Sequence, residues 1–193
     1  MKKINQLLNI SNISRISHRK DINGLRAIAV LAVVFYHAEI QLFKGGWLGV
    51  DIFFVISGYL ISNIIISELN DGIFSFKNFY IRRVKRILPA LFFTLLISIP
   101  LAYFFLTPKA MEEFVDSVMA SLFFYANYYF MDLDFYITES TKLMPLLHTW
   151  SLAIEEQYYL LFPLFSVLVY RYLKRYFTPI FIFLFAASLY LNT

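Results

Sequence analysis

Residues 48–69 read LGVDIFFVISGYLISNIIISEL. Asp51 and Glu68 are the only charges in this run, and each lies near one end. As a helix the run would be roughly 33 Å long at ~1.5 Å per residue, which matches the ~30 Å hydrocarbon core of a bilayer. It is apolar on every side and not along one stripe, so its solvent is lipid. Asn70, Asp71 and Gly72 stop it. Working outward, a Gly45-Gly46 turn precedes it, and before that lies an apolar stretch from Ile22 to about Phe43. That stretch has span length and no small-residue exit, so it reads as an uncleaved first helix and not as a signal peptide.

On the other side the third span is about Ile87 to Thr107. Pro89 stands near its first turn, where a missing N–H costs least, and Pro100 lies deeper and predicts a kink. A further helix runs from about Thr149 to Tyr172 and carries Glu155, Glu156 and Pro163. A last apolar run covers Phe177 to Leu191. Residues 108–145 are different. Their apolar core, Val118 to Phe130, is shorter than the ~20 residues a full span needs. It fits a re-entrant segment, an interfacial segment, or a tilted helix extended into polar flanks. The fold expected is an all-α polytopic transmembrane helical bundle, with five to six helices of a larger domain.

Composition agrees. The chain has 193 residues, 60% of them hydrophobic, with 22 Phe and 14 Tyr against 13 acidic residues. A soluble domain is usually about 45–50% apolar, and this chain lacks the polar surface to cover itself in water. The net charge of +4 is modest, and its Lys and Arg are clustered. Clustering of this kind sets membrane orientation, and no groove-like mixture of aromatic and basic residues points to nucleic acid. The absence of Cys excludes disulfides and thiolate chemistry. His18, His37 and His148 are far apart in sequence, so no metal site is expected.

Basic residues give the orientation. Residues 1–20 hold Lys2, Lys3, Arg15, Arg19 and Lys20, which places the N-terminus in the cytoplasm. Arg82 to Arg86, two spans later, falls inside, residues 108–145 outside, and Arg171, Lys174 and Arg175 inside. These assignments agree if 108–145 makes no net crossing.

Within this frame some charges lie where a plain anchor would carry none. Arg26 and His37 are eleven residues apart. On a helix they differ by about 20° in direction and roughly 16 Å in height, so they share a stripe. An ionisable side chain in a span costs at least ~2.5 kcal/mol and usually faces a polar interior. Arg26 can also be a structural charge that snorkels to the headgroups. Arg82, Arg83 and Arg86 form a short basic face, suited to phosphate or to anionic lipid and topology alike. Asp51 in a first helical turn suits the helix dipole, and Gly45, Gly46 and Gly49 allow close helix approach. His148, Ser151 and Glu155 fall on one helix face next to Trp150, an arrangement that suits acid/base work, acceptor binding or an interfacial belt.

Four ordered stretches resemble the acyltransferase-3 family of bacterial membrane O-acyltransferases, which modify envelope polysaccharides. They are Asp21 to His37, Gly45 to Leu60 (GGWLGVDIFFVISGYL), Tyr80 to Pro89 (YIRRVKRILP) and Leu147 to Leu161 (LHTWSLAIEEQYYLL). The resemblance implies residues 1–20 as a cytoplasmic basic N-terminus and 21–193 as a partial acyltransferase-3 transmembrane domain, in the bacterial inner membrane. It implies an acyl-CoA co-substrate, acetyl-CoA foremost, and an envelope polysaccharide or lipid-linked sugar acceptor. On that basis Arg82, Arg83 and Arg86 would hold CoA phosphates. His37 would be the essential base, removing a proton from the acceptor or carrying the acyl group, and Arg26 would stabilise negative charge near the thioester or line the donor channel. Glu155 would join the catalytic set and, with His148, Trp150, Ser151 and Asp51, shape the outer, acceptor side. The family's domain has more helices than this chain supplies, so a truncated piece is expected. A proton- or anion-coupled transporter and an inactive fragment are the competing readings.

Overall fold

The computed structural model describes residues 20–133 and 144–191. The basic segment 1–19, with His18, and Lys142 lie outside the described residues. The described residues are helical, joined by turns. The chain divides into two compact units, residues 1–60 and 61–193.

The first unit holds α1 (Lys20–His37), a 3-10 turn (Gln41–Phe43) and the opening of α2 (Leu48–Asn70). Asp21 sits in the first turn of α1, where a carboxylate favours the helix dipole. The sequence alone carried this helix to Phe43. It ends at His37, because Glu39 takes φ 58° and the Ile40 N–H turns back to the Phe35 carbonyl at 3.2 Å. This is the left-handed reversal that closes many helices, here without a glycine. The Phe43 ring then returns to within 4.8 Å of Phe35. The apolar residues beyond His37 thus pack back on the helix and do not extend it.

Gly46 and Gly49 explain how α2 starts. A Cβ on Gly46 would collide with the Ala32 carbonyl and lie 2.8 Å from the Tyr36 Cβ. One on Gly49 would collide with the Ala29 carbonyl and lie 2.8 Å from Val33 Cγ2. Both glycines are buried. They let α2 touch the backbone of α1, the small-residue contact that holds helices together in lipid.

The second unit begins in the latter half of α2. It continues with α3 (Phe76–Phe105), α4 (Pro108–Leu122), α5 (Ala126–Met131), α6 (Thr149–Tyr172), a 3-10 turn (Lys174–Tyr176) and α7 (Phe177–Leu191). Ser75 caps α3 by accepting from the Asn78 N–H, and Thr107 caps α4 by accepting from Ala110, with Pro108 in the first turn. Three helices are long and apolar enough to cross a membrane, α2, α3 and α6. The chain is a helical membrane protein.

α3 begins eleven residues before the expected Ile87, so Arg82, Arg83 and Arg86 lie on a helix that is continuous with the span. Residues 118–130 do not form one helix. α4 ends at Leu122 and α5 starts at Ala126, with Phe124 at φ 55° between them. Gln157 of α6 donates from Nε2 to the Phe124 carbonyl and to Asn127 Oδ1, both at 2.9 Å. The first of these satisfies a carbonyl at the interruption. α4 is amphipathic: Ala110, Phe114, Ser117 and Ser121 are buried, while Glu112 and Asp116 are exposed. Both α4 (15 residues) and α5 (6 residues) are shorter than the ~20 residues a span requires.

The core of this unit is layered. Leu91, Leu95, Ala102, Phe114 and Leu146 form one cluster, Ile61, Ile65, Phe79 and Tyr159 a second, and Ala120, Ala126, Phe130 and Ala153 a third. Arg83 lies against Phe79 and Tyr159 of the second cluster.

Candidate active site

In the first unit His37 is the last residue of α1 and is exposed. The sequence placed it inside a first helix running to about Phe43; the helix ends at it instead. Its Nδ1 lies 3.0 Å from the Val33 carbonyl, one turn back. A carbonyl can only accept, so Nδ1 carries the hydrogen, and in the neutral ring Nε2 is the basic nitrogen. The Tyr36 ring meets the imidazole edge-on at 5.3 Å. Arg26 lies on the same helix, half-buried, with its guanidinium 5.3 Å from the centre of the Phe53 ring. Such a contact holds the cation by the ring's negative face. Asp51 is exposed in the first turn of α2.

In the second unit the three arginines have three different surroundings. Arg82 donates to Glu68 Oε1 at 2.8 Å, an ion pair whose carboxylate is 12% exposed. Arg83 turns inward. Its guanidinium is 5.8 Å from the ring centres of both Phe79 and Tyr159. Arg86 is exposed.

Tyr159 is buried, and its hydroxyl donates to Glu155 Oε1, one turn earlier on α6. Glu156 lies next to Glu155, half-buried, and the charges of Glu156 and Arg83 act on each other. Arg83 Nε and Glu156 Oε1 are both buried without a hydrogen-bond partner among the described residues. Leaving such an atom unmet costs about 1–3 kcal/mol. The sequence put Arg83 on the inner side and Glu155 on the outer. The structure groups them around the Tyr159 ring, because α3 and α6 pack through Phe79 and Tyr159, and the Tyr80 hydroxyl donates to the Leu160 carbonyl at 3.0 Å.

The remaining outer-side candidates separate. His148 precedes α6 and is exposed. Ser151 donates to the His148 carbonyl at 3.1 Å, which takes up its only hydrogen. Trp150 packs against Ala120, Ala126, Phe130 and Ala153. Thr149, not singled out in the sequence, is buried with Ser121 at 2.7 Å. Among the described residues no group of three or more His, Asp and Glu could hold a metal ion. A small cleft lies between α4 and α5, lined by Glu113, Ser117, Tyr129 and Met144. The Tyr129 hydroxyl donates to the Glu113 carbonyl at 3.0 Å. Burial, then the nearby Asp116 and Glu113 charges, push its pKa up to about 12.

Sequence reasoning missed Glu68 and Tyr159, and quoted Glu156 without assigning it. A signal existed for the first: an acid at the end of one span and an Arg at the start of the next, fourteen residues on.

A helical membrane protein with a basic face at the head of one candidate span and paired acids in another is the class the fold defines. The chain belongs to the acyltransferase family described as an acyltransferase domain, which matches residues 19–193. The peptidoglycan O-acetyltransferase OatA of Listeria monocytogenes is 40% identical over 157 residues, 80% of this chain and 25% of that protein. The O-acetyltransferase OatA of Staphylococcus aureus (strain NCTC 8325) is 38% identical over 156 residues, 80% of this chain and 26% of that protein. A Staphylococcus aureus (strain MSSA476) protein with a provisional O-acetyltransferase name is 39% identical over 181 residues, 93% of this chain and 30% of its own length. The chain therefore spans less than a third of these relatives. No solved structure matches it.

Proposed function

We propose that the chain is the donor-handling part of a membrane O-acyltransferase, moving an acetyl group from acetyl-CoA to a hydroxyl of an envelope polysaccharide sugar. The family match over residues 19–193, with relatives named for O-acetyl transfer, supports the reading. The observation that carries the chemistry is His37, whose Nδ1 is engaged by the Val33 carbonyl so that Nε2 can take a proton. In the proposed reaction a sugar O–H gives its proton to His37 Nε2 as its oxygen attacks the thioester carbonyl carbon. The C–S bond then breaks, and the CoA sulfur leaves with the proton returned from the imidazolium. General-base help of this kind supplies about 10²–10⁴-fold. Arg26, roughly 16 Å from His37 along α1, would line the path of the donor. Arg86, exposed on the basic face, would meet CoA phosphate, whereas Arg82 is held by Glu68. This scheme has α1 cross the membrane as well as α2, with the N-terminus and the basic face in the cytoplasm and the sugar outside, across the inner membrane.

The test uses membranes from cells expressing the protein, supplied with acetyl-labelled CoA and cell-wall polysaccharide. Label released from the polysaccharide by mild base is the expected result. Its absence, with the chain present in the membrane, contradicts the reading.

A further inference from the structure

The Arg83 and Glu156 pair has a feature the transfer reaction leaves unused. Two buried polar atoms of opposite character, Arg83 Nε and Glu156 Oε1, lack partners among the described residues, so they are not bonded to each other. The groups around them are already engaged. The Tyr159 hydroxyl is on Glu155, Arg82 is on Glu68, and the Arg83 guanidinium lies 5.8 Å from the centres of both the Phe79 and Tyr159 rings. Phe79 and Tyr159 belong to a buried apolar cluster with Ile61 and Ile65. A ligand there must offer one acceptor to an N–H and one donor to a carboxylate oxygen, in apolar surroundings.

We propose that Arg83 and Glu156 together bind a secondary amide. The amide C=O accepts from Arg83 Nε–H, and its N–H donates to Glu156 Oε1. Free phosphate fits poorly, because it would meet the carboxylate as well as the guanidinium. The nearby Phe79 and Tyr159 rings suit a flat, neutral group. Two sources carry such an amide: the pantetheine arm of a CoA thioester and the N-acetyl group of an amino sugar. The pantetheine arm is favoured, since Arg83 adjoins the exposed Arg86 on the same helix face, and this choice of source rests on the donor reading above.

The test is equilibrium binding to the full chain in lipid nanodiscs, with three probes. Acetyl-CoA carries phosphates and amides, 3′,5′-ADP carries phosphates only, and a chitin tetrasaccharide carries N-acetyl groups only. Glu156→Leu removes the acceptor oxygen and should weaken acetyl-CoA by about 10-fold, the scale of one buried hydrogen bond. Glu156→Gln keeps a carbonyl oxygen and should stay within about 3-fold of the unaltered chain. Neither should move 3′,5′-ADP, whose retained binding also shows that the variant folds. Should Glu156→Leu lose 3′,5′-ADP as a misfolded chain would, Arg83→Lys reads the other half of the pair and should weaken acetyl-CoA alone. A loss confined to the tetrasaccharide supports the amide site with the sugar as its source, even if the unaltered chain binds neither nucleotide and the donor reading falls. Equal losses for Leu and Gln, as a mere counter-charge or bridging water would give, overturn the proposal. So does no loss with any probe, and in that case the donor reading survives wherever the unaltered chain binds acetyl-CoA.

Discussion

At the scale of single residues, neighbours in sequence have been given different work. Arg82, Arg83 and Arg86 look interchangeable as text, yet one is paired, one lies half-buried against two rings and one is exposed. Their variants should therefore differ. Arg86→Ala should weaken acetyl-CoA by about 10-fold with little change in melting temperature, the loss expected for one charged contact. Arg82→Ala should do the reverse. It strips the partner from a nearly buried carboxylate and should cost about 1–3 kcal/mol in a thermal or denaturant melt, with donor affinity kept. Equal effects of the two on acetyl-CoA binding would contradict the division. The presence of arginines was plain in the sequence. Their separation was not, since it depends on Glu68 and Tyr159 arriving from α2 and α6.

At the scale of elements, two short features set the helix geometry. Gly46 and Gly49 let α2 approach the backbone of α1. Gly49→Ala should destabilise the first unit by about 1–3 kcal/mol, as overpacking generally does, and Gly24→Ala, which has open space, should not. Melting in detergent by circular dichroism would compare them. The break at Phe124 is held by Gln157. Nearby, Tyr129 couples α5 to α4 through a neutral phenol whose pKa is pushed up to about 12. The folded state thus keeps a proton that the unfolded chain gives up near its ordinary value of 10.0. The stabilising effect is whole below pH 10 and fades as pH rises toward 12. Tyr129→Phe should flatten that alkaline loss in a pH series of melts, and an unchanged profile would contradict the assignment.

The start and stop of α2 were legible, because an uninterrupted apolar run and Asn70-Asp71-Gly72 are local signals. The end of α1 and the break at Phe124 were not. Each depends on a non-glycine residue at positive φ, Glu39 and Phe124, and at Phe124 the support comes from Gln157, 33 residues on. The start of α3 was misjudged because charged residues were read as lying before the span, whereas a helix capped at Ser75 carries them inside it.

At the scale of the whole molecule, we propose a topology in which the short helices α4 and α5 form an outer segment that makes no net crossing, with the basic residues around Arg171 inside. The chain has no Cys, so single cysteines report cleanly. Glu112→Cys should react with a membrane-impermeant maleimide added outside intact cells, and Arg175→Cys only after lysis. Labelling of 175 from outside would overturn the topology. Proton abstraction by His37 is put to the test by the rate of envelope O-acetylation with His37→Ala. A loss of about 100-fold or more is expected, with acetyl-CoA affinity unchanged. Acetylation at the unaltered rate would contradict it.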